Sequence, residues 1–278
     1  MMKVKLLALA FLAAVPLQAR PRAPRPGADA LLLLALAPST TAYSAVERVQ
    51  VFGAGAKPKA STAHIAVLTG GRSRREVVAG RRKAAAMISL RDGREIFILW
   101  PGKKKMWRGP AFDESAQTQL ARVRAFYELS LSTGGRVAKR ATWRVDMRAA
   151  GGSLRRSLWL DRETGLRLKR ETYRSDGSLA RRERIIKLKL GAQAEPSAFE
   201  PQVPSGTEVA ALSAPPFMPR WVPEGFILTE AGASSMTYSD GADSYVIERA
   251  APGGRLSVKG GLSEDDAARV LDSIPGAK

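Results

Sequence analysis

"LRLKRETYRSDGSLARRERIIKLKL", Leu166 to Leu190, is the stretch whose reading decides the fold. Leu166 and Leu168, and later Ile186, Leu188 and Leu190, alternate with arginine or lysine. Successive side chains of a strand point to opposite faces, so this period of two sets an apolar face against a basic one. "SDG" at Ser175 to Gly177 splits the stretch into two strands joined by a tight turn. The same grammar continues outward. "RVAKRATWRVDMRA" turns at Gly151-Gly152 into "SLRRSLWL", and "RETG" leads back to Leu166. Upstream, "AAAMISLRDGREIFILWP" places Asp92-Gly93 between two β-rich runs, and Met106-Trp107 marks another strand after Pro101-Gly102. Long alternating strands with tight turns predict a large antiparallel sheet in a mostly β, α+β chain.

Two helices interrupt this pattern. "DESAQTQLARVRAFYELSL" has an acidic start at Asp113-Glu114 and sets Leu120, Val123, Phe126 and Tyr127 at helical spacing. "ADALLLLALAP", Ala28 to Pro38, is too short to span a bilayer and predicts a helix buried on most of its circumference. Before it, Lys3 and Lys5, the apolar run Leu6 to Val15 and a small residue at Ala19 have the form of an export signal cleaved near Ala19.

The net charge is +19, unevenly spread over 278 residues. Lys57 to Arg108 holds 14 basic and 3 acidic residues, and Arg136 to Lys189 holds 17 and 6, a net of +11 each. Phe217 to Lys278 holds 6 basic and 9 acidic, a net of −3. A basic body joined to a mildly acidic module predicts two domains and an anionic partner for the body. The expected divisions are a signal at 1–19, a large domain at 20–204, a linker at 205–216 and a small domain at 217–278. Gly191 to Pro216, rich in Pro, Ala and Ser without a period, supplies the linker. In the small domain "WVPEGFILTEAG", "SMTYSDGADSYVIERA" and "GGRLSVKGGL" read as strands. "SEDDAARVLDSI" reads as a helix with Ser263 as N-cap and Ala267, Val270, Leu271 and Ile274 on one face.

Catalytic and metal chemistry find little to use. There is no cysteine, which removes disulfides, thiolate metal sites and cysteine nucleophiles. His64 is the single histidine, in the strand-like "TAHIAVL", and no G-x-S-x-G elbow or phosphate-binding G-x-x-x-x-G-K-[ST] loop exists. "FGAGAKP" is a loop, because Lys57-Pro58 stand where a phosphate-binding helix would begin. Asp240-Gly241 is a turn between strands. No enzyme, metal or cofactor is expected. Aromatic content is 6%, and no nucleic-acid motif accompanies the basic clusters, so no nucleic-acid partner is expected either.

"RWVPEGF" (Arg220 to Phe226), "YSDG" (Tyr238 to Gly241) and "LSVKGGLSEDDAARVLDSI" (Leu256 to Ile274) together resemble the C-terminal module of the MucB/RseB family. "YSAVERVQVF", "ISLRDGREIFILWPGKKKMW", "LWLDRETGLRLKRETYRSDGSLARR" and "FEPQVPSG" are similar, in the same order, to segments of that family's large domain. The resemblance implies a LolA/LppX-like half-open antiparallel β-barrel covered by helices, plus a small C-terminal domain of antiparallel sheet and one helix. It implies a periplasmic, non-enzymatic regulator that binds the periplasmic part of an anti-sigma factor and senses lipid or lipopolysaccharide in the envelope stress response. A LolA-like carrier of lipid or lipoprotein acyl chains is the alternative. One departure is a connection between Tyr245 and Val258 shorter than the family's, which implies a trimmed small domain. On this reading Arg72, Arg74, Arg75, Arg81, Arg82 and Lys103, Lys104 and Lys105 are candidates for a basic rim around the ligand. Leu120, Val123 and Phe126 are candidates for an apolar cover, or are plain core.

Overall fold

The structure is a computed structural model. It describes residues 26–276 apart from 54–56, 80–84, 93–94, 111–114, 175, 192–194, 212–216, 224–225, 232–233, 240–243, 250–253 and 263. The export signal, Arg81 and Arg82, Asp113-Glu114, the Asp240-Gly241 turn and Ser263 therefore lie outside the described residues.

Helix α1 (Ala28–Leu36) opens the described chain, followed by strands β1 (Tyr43–Val51), β2 (Lys59–Val67), β3 (Ser73–Ala79), β4 (Met87–Asp92), β5 (Glu95–Trp100) and β6 (Lys105–Pro110). Helix α2 (Ala116–Phe126) leads into a second meander: β7 (Tyr127–Val137), β8 (Arg140–Ala149), β9 (Leu154–Asp161), β10 (Arg167–Tyr173) and β11 (Leu179–Leu190). Strand β1 pairs antiparallel with β2 on one side and β11 on the other, which joins both meanders into one sheet. Its order is β12-β6-β5-β4-β3-β2-β1-β11-β10-β9-β8-β7. β7 and β12 stay unpaired with each other, so the barrel is half-open.

The terminal strand β12 (Glu208–Ala211) pairs parallel with β6, against the antiparallel trend of the sheet. It lies inside the stretch expected as linker. Its four residues carry no alternation long enough to read, and the open edge of β6 recruits them.

Helix α2 is shorter than its apolar spacing predicts. The Ser115 side chain caps it by accepting from the Thr118 N–H at 3.1 Å, and it ends at Phe126. Tyr127, assigned to the helix by spacing, instead begins β7. "YELSLS" also has a period of two, and pairing with β8 (Leu129↔Met147, Leu131↔Val145) outweighs the helical reading. Val123, Leu31 and Leu32 pack with Val145, Met147, Leu158 and Leu160, so α1 and α2 together cover the β7–β9 part of one face. Helix α1 is less enclosed than expected, with Leu34 61% exposed.

A separate four-stranded sheet, β13 (Ile227–Ala231), β14 (Ser235–Ser239), β15 (Ser244–Arg249) and β16 (Leu256–Gly260), is antiparallel throughout in chain order. Helix α3 (Glu264–Asp272) and the turn after it close it, burying Val270 of the helix and Ile274 of the turn with Met236, Tyr238, Tyr245, Ile247 and Leu256. Tyr238 and Tyr245 stack with ring centroids 5.1 Å apart, and both phenol oxygens are buried without a hydrogen-bond partner among the described residues. Burial pushes the Tyr238 phenol up to about 12, and burial together with Tyr238 pushes Tyr245 further. A raised phenol pKa stabilises the fold below the unfolded value near 10 and loses that contribution as pH rises towards the folded value. In an absorbance titration, Tyr238→Phe and Tyr245→Phe should therefore each remove a late-ionising phenol. Unchanged titration of both variants would contradict the burial.

Candidate functional site

The register places the helix-bearing face of the large sheet residue by residue. Across β1 to β6 it carries the rows Ala45-Ile65-Arg75-Ser89-Ile98-Trp107, Glu47-Ala63-Val77-Met87 and Tyr43-Val67-Ser73-Arg91-Ile96-Gly109. Ile65, Val77, Met87 and Ile96 are only partly buried. The core formed by α1 and α2 draws its sheet residues from β7, β8 and β9 alone. One half of this face is thus helix-covered core, and the other half sets buried Ala45, Ala63, Ile98 and Trp107 beside the partly buried Ile65, Val77, Met87 and Ile96, with Arg75, Ser89 and Arg91 among them.

Between the halves lies a charged cluster. Glu47 and Glu183 are both buried. Arg75 Nη2 donates to Glu47 Oε2 at 2.8 Å. Arg170 Nη2 donates to Glu183 Oε1 at 2.7 Å, and Arg181 Nε reaches the same oxygen at 2.8 Å. Burial alone would raise the Glu183 carboxyl, but the Arg170, Arg167 and Arg181 charges outweigh it and hold the carboxyl well below the usual range. Arg167 stands beside this cluster with an exposed side chain. Its pKa is lowered, first by the neighbouring Arg170 charge and then by lost hydration. Arg170 Nε is buried and has no acceptor among the described residues. Four arginines face two glutamates here, so the cluster keeps a net positive charge.

The rim candidates do not converge on this place. Arg75 belongs to the cluster. Arg74, its neighbour along β3, points to the opposite face, as alternation requires. There it pairs with Glu76 at 2.6 Å and donates to the Ala198 carbonyl at 2.8 Å. That second bond holds the exit segment over an apolar patch of Ile88, Leu90, Phe97, Leu99 and Met106. Arg72 makes two bonds to Asp92, at 2.5 and 2.8 Å. Lys103 and Lys104 lie exposed in the turn before β6, and Lys105 pairs with Glu208 of β12 at 3.4 Å. Among the cover candidates, Val123 is fully buried core, Leu120 packs partly buried beside it, and Phe126 is half-buried.

Arg167, Arg170, Glu47 and Glu183 were not singled out by sequence. A signal existed. Glu47 falls in phase with Ala45 and Val49, and Glu183, on the basic strand β11, in phase with Ile185, so each acid stands at an apolar-phase position of its strand.

The fold is thus a half-open antiparallel barrel, covered on part of one face by two helices, with a small second sheet. The chain belongs to the MucB/RseB family: the model of the MucB/RseB N-terminal domain matches residues 54–203. Among solved structures, a crystal structure of MucB is 22% identical, over 89% of this chain and 97% of that one, with a TM-score of 0.63. The Pseudomonas aeruginosa MucA/MucB complex is 22% identical over 89% and 98%, at 0.58. MucB in complex with MucA(peri) is also 22% identical, over the same shares, at 0.56. At this identity the three show a shared fold. They also leave little of MucB outside the match, so the expected trimming of the small domain is slight. No curated protein matches the chain.

Proposed function

We propose that this protein is a periplasmic regulator that binds the periplasmic part of an anti-sigma factor, and that lipid or lipopolysaccharide on the helix-bearing face weakens that binding. The observation that carries this reading is family membership across residues 54–203, joined to a fold shared with MucB over 89% of the chain. MucB forms a complex with MucA(peri), and a partner of that kind is the natural one for a chain with the same two sheets. An acyl chain would lie against Ile65, Val77, Met87 and Ile96, with its phosphate near Arg167 and Arg75. Release of the protein partner follows only if lipid prefers the conformation that binds the partner poorly. The carrier reading uses the same residues, but it needs no second sheet with its own helix.

Native mass spectrometry of the purified mature protein, followed by lipid extraction, tests the ligand half of this reading. A co-purifying phospholipid or lipopolysaccharide fragment is expected, and Met87→Glu should abolish its retention while the protein stays folded. A clean apo mass that takes up no added lipid would count against lipid sensing and carriage alike.

A further inference from the structure

The face opposite the helices carries a second concentration of charge, on the two strands where the meanders join. Arg48 of β1 stands opposite Arg184 of β11, Arg184 opposite Lys169, and Lys169 opposite Trp159. Further along β11, a bulge exposes Ile186 (46%) and sets Lys187 and Lys189 on this same face, opposite Val46 and Ser44. Arg48, Arg184, Lys187 and Lys189 are exposed, and none forms an ion pair among the described residues. The neighbouring cations are neutralised: Glu171 bonds Lys169 at 2.9 Å and Arg182 at 2.6 Å, and Asp146 bonds Arg144 at 2.7 Å. On the other flank, β2 presents only Ala60, Thr62, His64 and Ala66 to this face. Among the described residues of β1 and β11, Arg48, Arg184, Lys187 and Lys189 thus form a ribbon of unpaired positive charge two strands wide, with the short side chains of β2 along one flank. Arg48, Gln50, Lys169, Arg182, Arg184 and Ile186 line a groove along it.

We infer that this ribbon docks an extended acidic segment of a protein partner, with carboxylates at alternate positions facing the cations. The repeats match: same-face side chains recur every ~7 Å along β11 and along an extended peptide alike. A nucleic acid fits less well. Trp159, the aromatic residue of the row, is buried and already lies between Lys169 (3.7 Å) and Arg144 (5.1 Å), so no base can stack on it. A membrane surface rewards a broad field of cations rather than a narrow groove with neutralised margins. The inference depends neither on the lipid reading nor on which protein supplies the segment.

The test is fluorescence anisotropy of the full mature chain with a labelled peptide of alternating glutamate and valine. The same measurement is made with an alternating lysine and valine peptide, phosphatidylglycerol vesicles and a single-stranded oligonucleotide. Wild type should bind the acidic peptide, less tightly as salt rises. The combined Arg48→Glu, Arg184→Glu and Lys187→Glu variant should bind it at least about tenfold more weakly. A variant with the same charge change elsewhere, Arg136→Glu, Lys139→Glu and Arg255→Glu, should bind as wild type does. Equal binding by wild type and the ribbon variant overturns the inference. So does ribbon-dependent capture of vesicles or oligonucleotide in preference to the acidic peptide. Because the probe is synthetic, failure here leaves the anti-sigma reading standing, and the reverse holds.

Discussion

Glu183→Ala should destabilise the large sheet by about 3–5 kcal/mol, because it removes one side of a buried ionic cluster and leaves the other. In the native protein the Glu183 carboxylate takes hydrogen bonds from Arg170 and Arg181 and faces Arg167 as well. Without it, Arg167 and Arg170 confront each other with no intervening acid, and Arg170 loses its bond in a place with little water. Arg167 is already held below its usual pKa by Arg170 with Glu183 present. The damage should therefore be partly reversible, and adding Arg170→Met to Glu183→Ala should recover a measurable share of the loss. The pH dependence has a definite sign. A carboxyl with a depressed folded pKa stabilises the protein above the ordinary value of about 4.5 and loses that contribution as pH falls below it. Wild type should accordingly weaken on acidification from that point, and Glu183→Gln should weaken less steeply. Urea unfolding across pH checks both statements. A cost below 1 kcal/mol for Glu183→Ala would mean that the cluster does not hold this face together.

Gly260→Ala should cost the small sheet about 3 kcal/mol or more, from strain and collision together. Gly260 ends β16 at φ +135°, a backbone region unsuited to residues with a side chain. A Cβ there would lie 2.4 Å from the Ser244 carbonyl oxygen and 2.7 Å from Tyr245 Cα, both backbone atoms of β15 that cannot turn aside. The adjacent Gly261 N–H donates to that same Ser244 oxygen at 3.1 Å, which draws the two strands together at the point where the chain leaves for α3. Gly276 is also left-handed, at φ +71°, but has open space around its Cβ position. Gly276→Ala should cost about 1 kcal/mol. Near-ultraviolet circular dichroism of Trp221, Tyr238 and Tyr245 follows the small sheet. Equal losses from the two substitutions would contradict the close approach at Gly260.

The large sheet was legible because its strands alternate over many residues and its turns carry glycine or aspartate. Asp92 and Glu95 do flank the β4–β5 turn, and Asp176 and Gly177 lie between β10 and β11 as read. Two elements were read differently from what forms. Tyr127 satisfies a helical period and a strand period equally, and only its pairing with Ala149 across to β8 decides between them. Glu208–Ala211 has no intrinsic strand pattern and becomes one because β6 offers an open edge. The candidate site was harder to read for a related reason. Clusters of arginine along the chain draw attention to Arg72, Arg74 and Arg75, but alternation sends Arg74 and Arg75 to opposite faces. The cluster that does form gathers Glu47, Arg75, Arg170, Arg181 and Glu183 from four strands, two of them far apart in sequence. No local window contains it, and only the β1–β11 pairing brings it together.

The most direct test of the proposed function is calorimetric titration of the protein with the periplasmic segment of an anti-sigma factor encoded by the same organism. It is repeated after saturation with lipopolysaccharide, with MucB and MucA(peri) measured alongside. One saturable complex that lipopolysaccharide weakens is expected, and a Met87→Glu variant should still bind the segment but no longer respond to lipopolysaccharide. Absence of a complex under conditions where the MucB and MucA(peri) pair forms would contradict the proposed function.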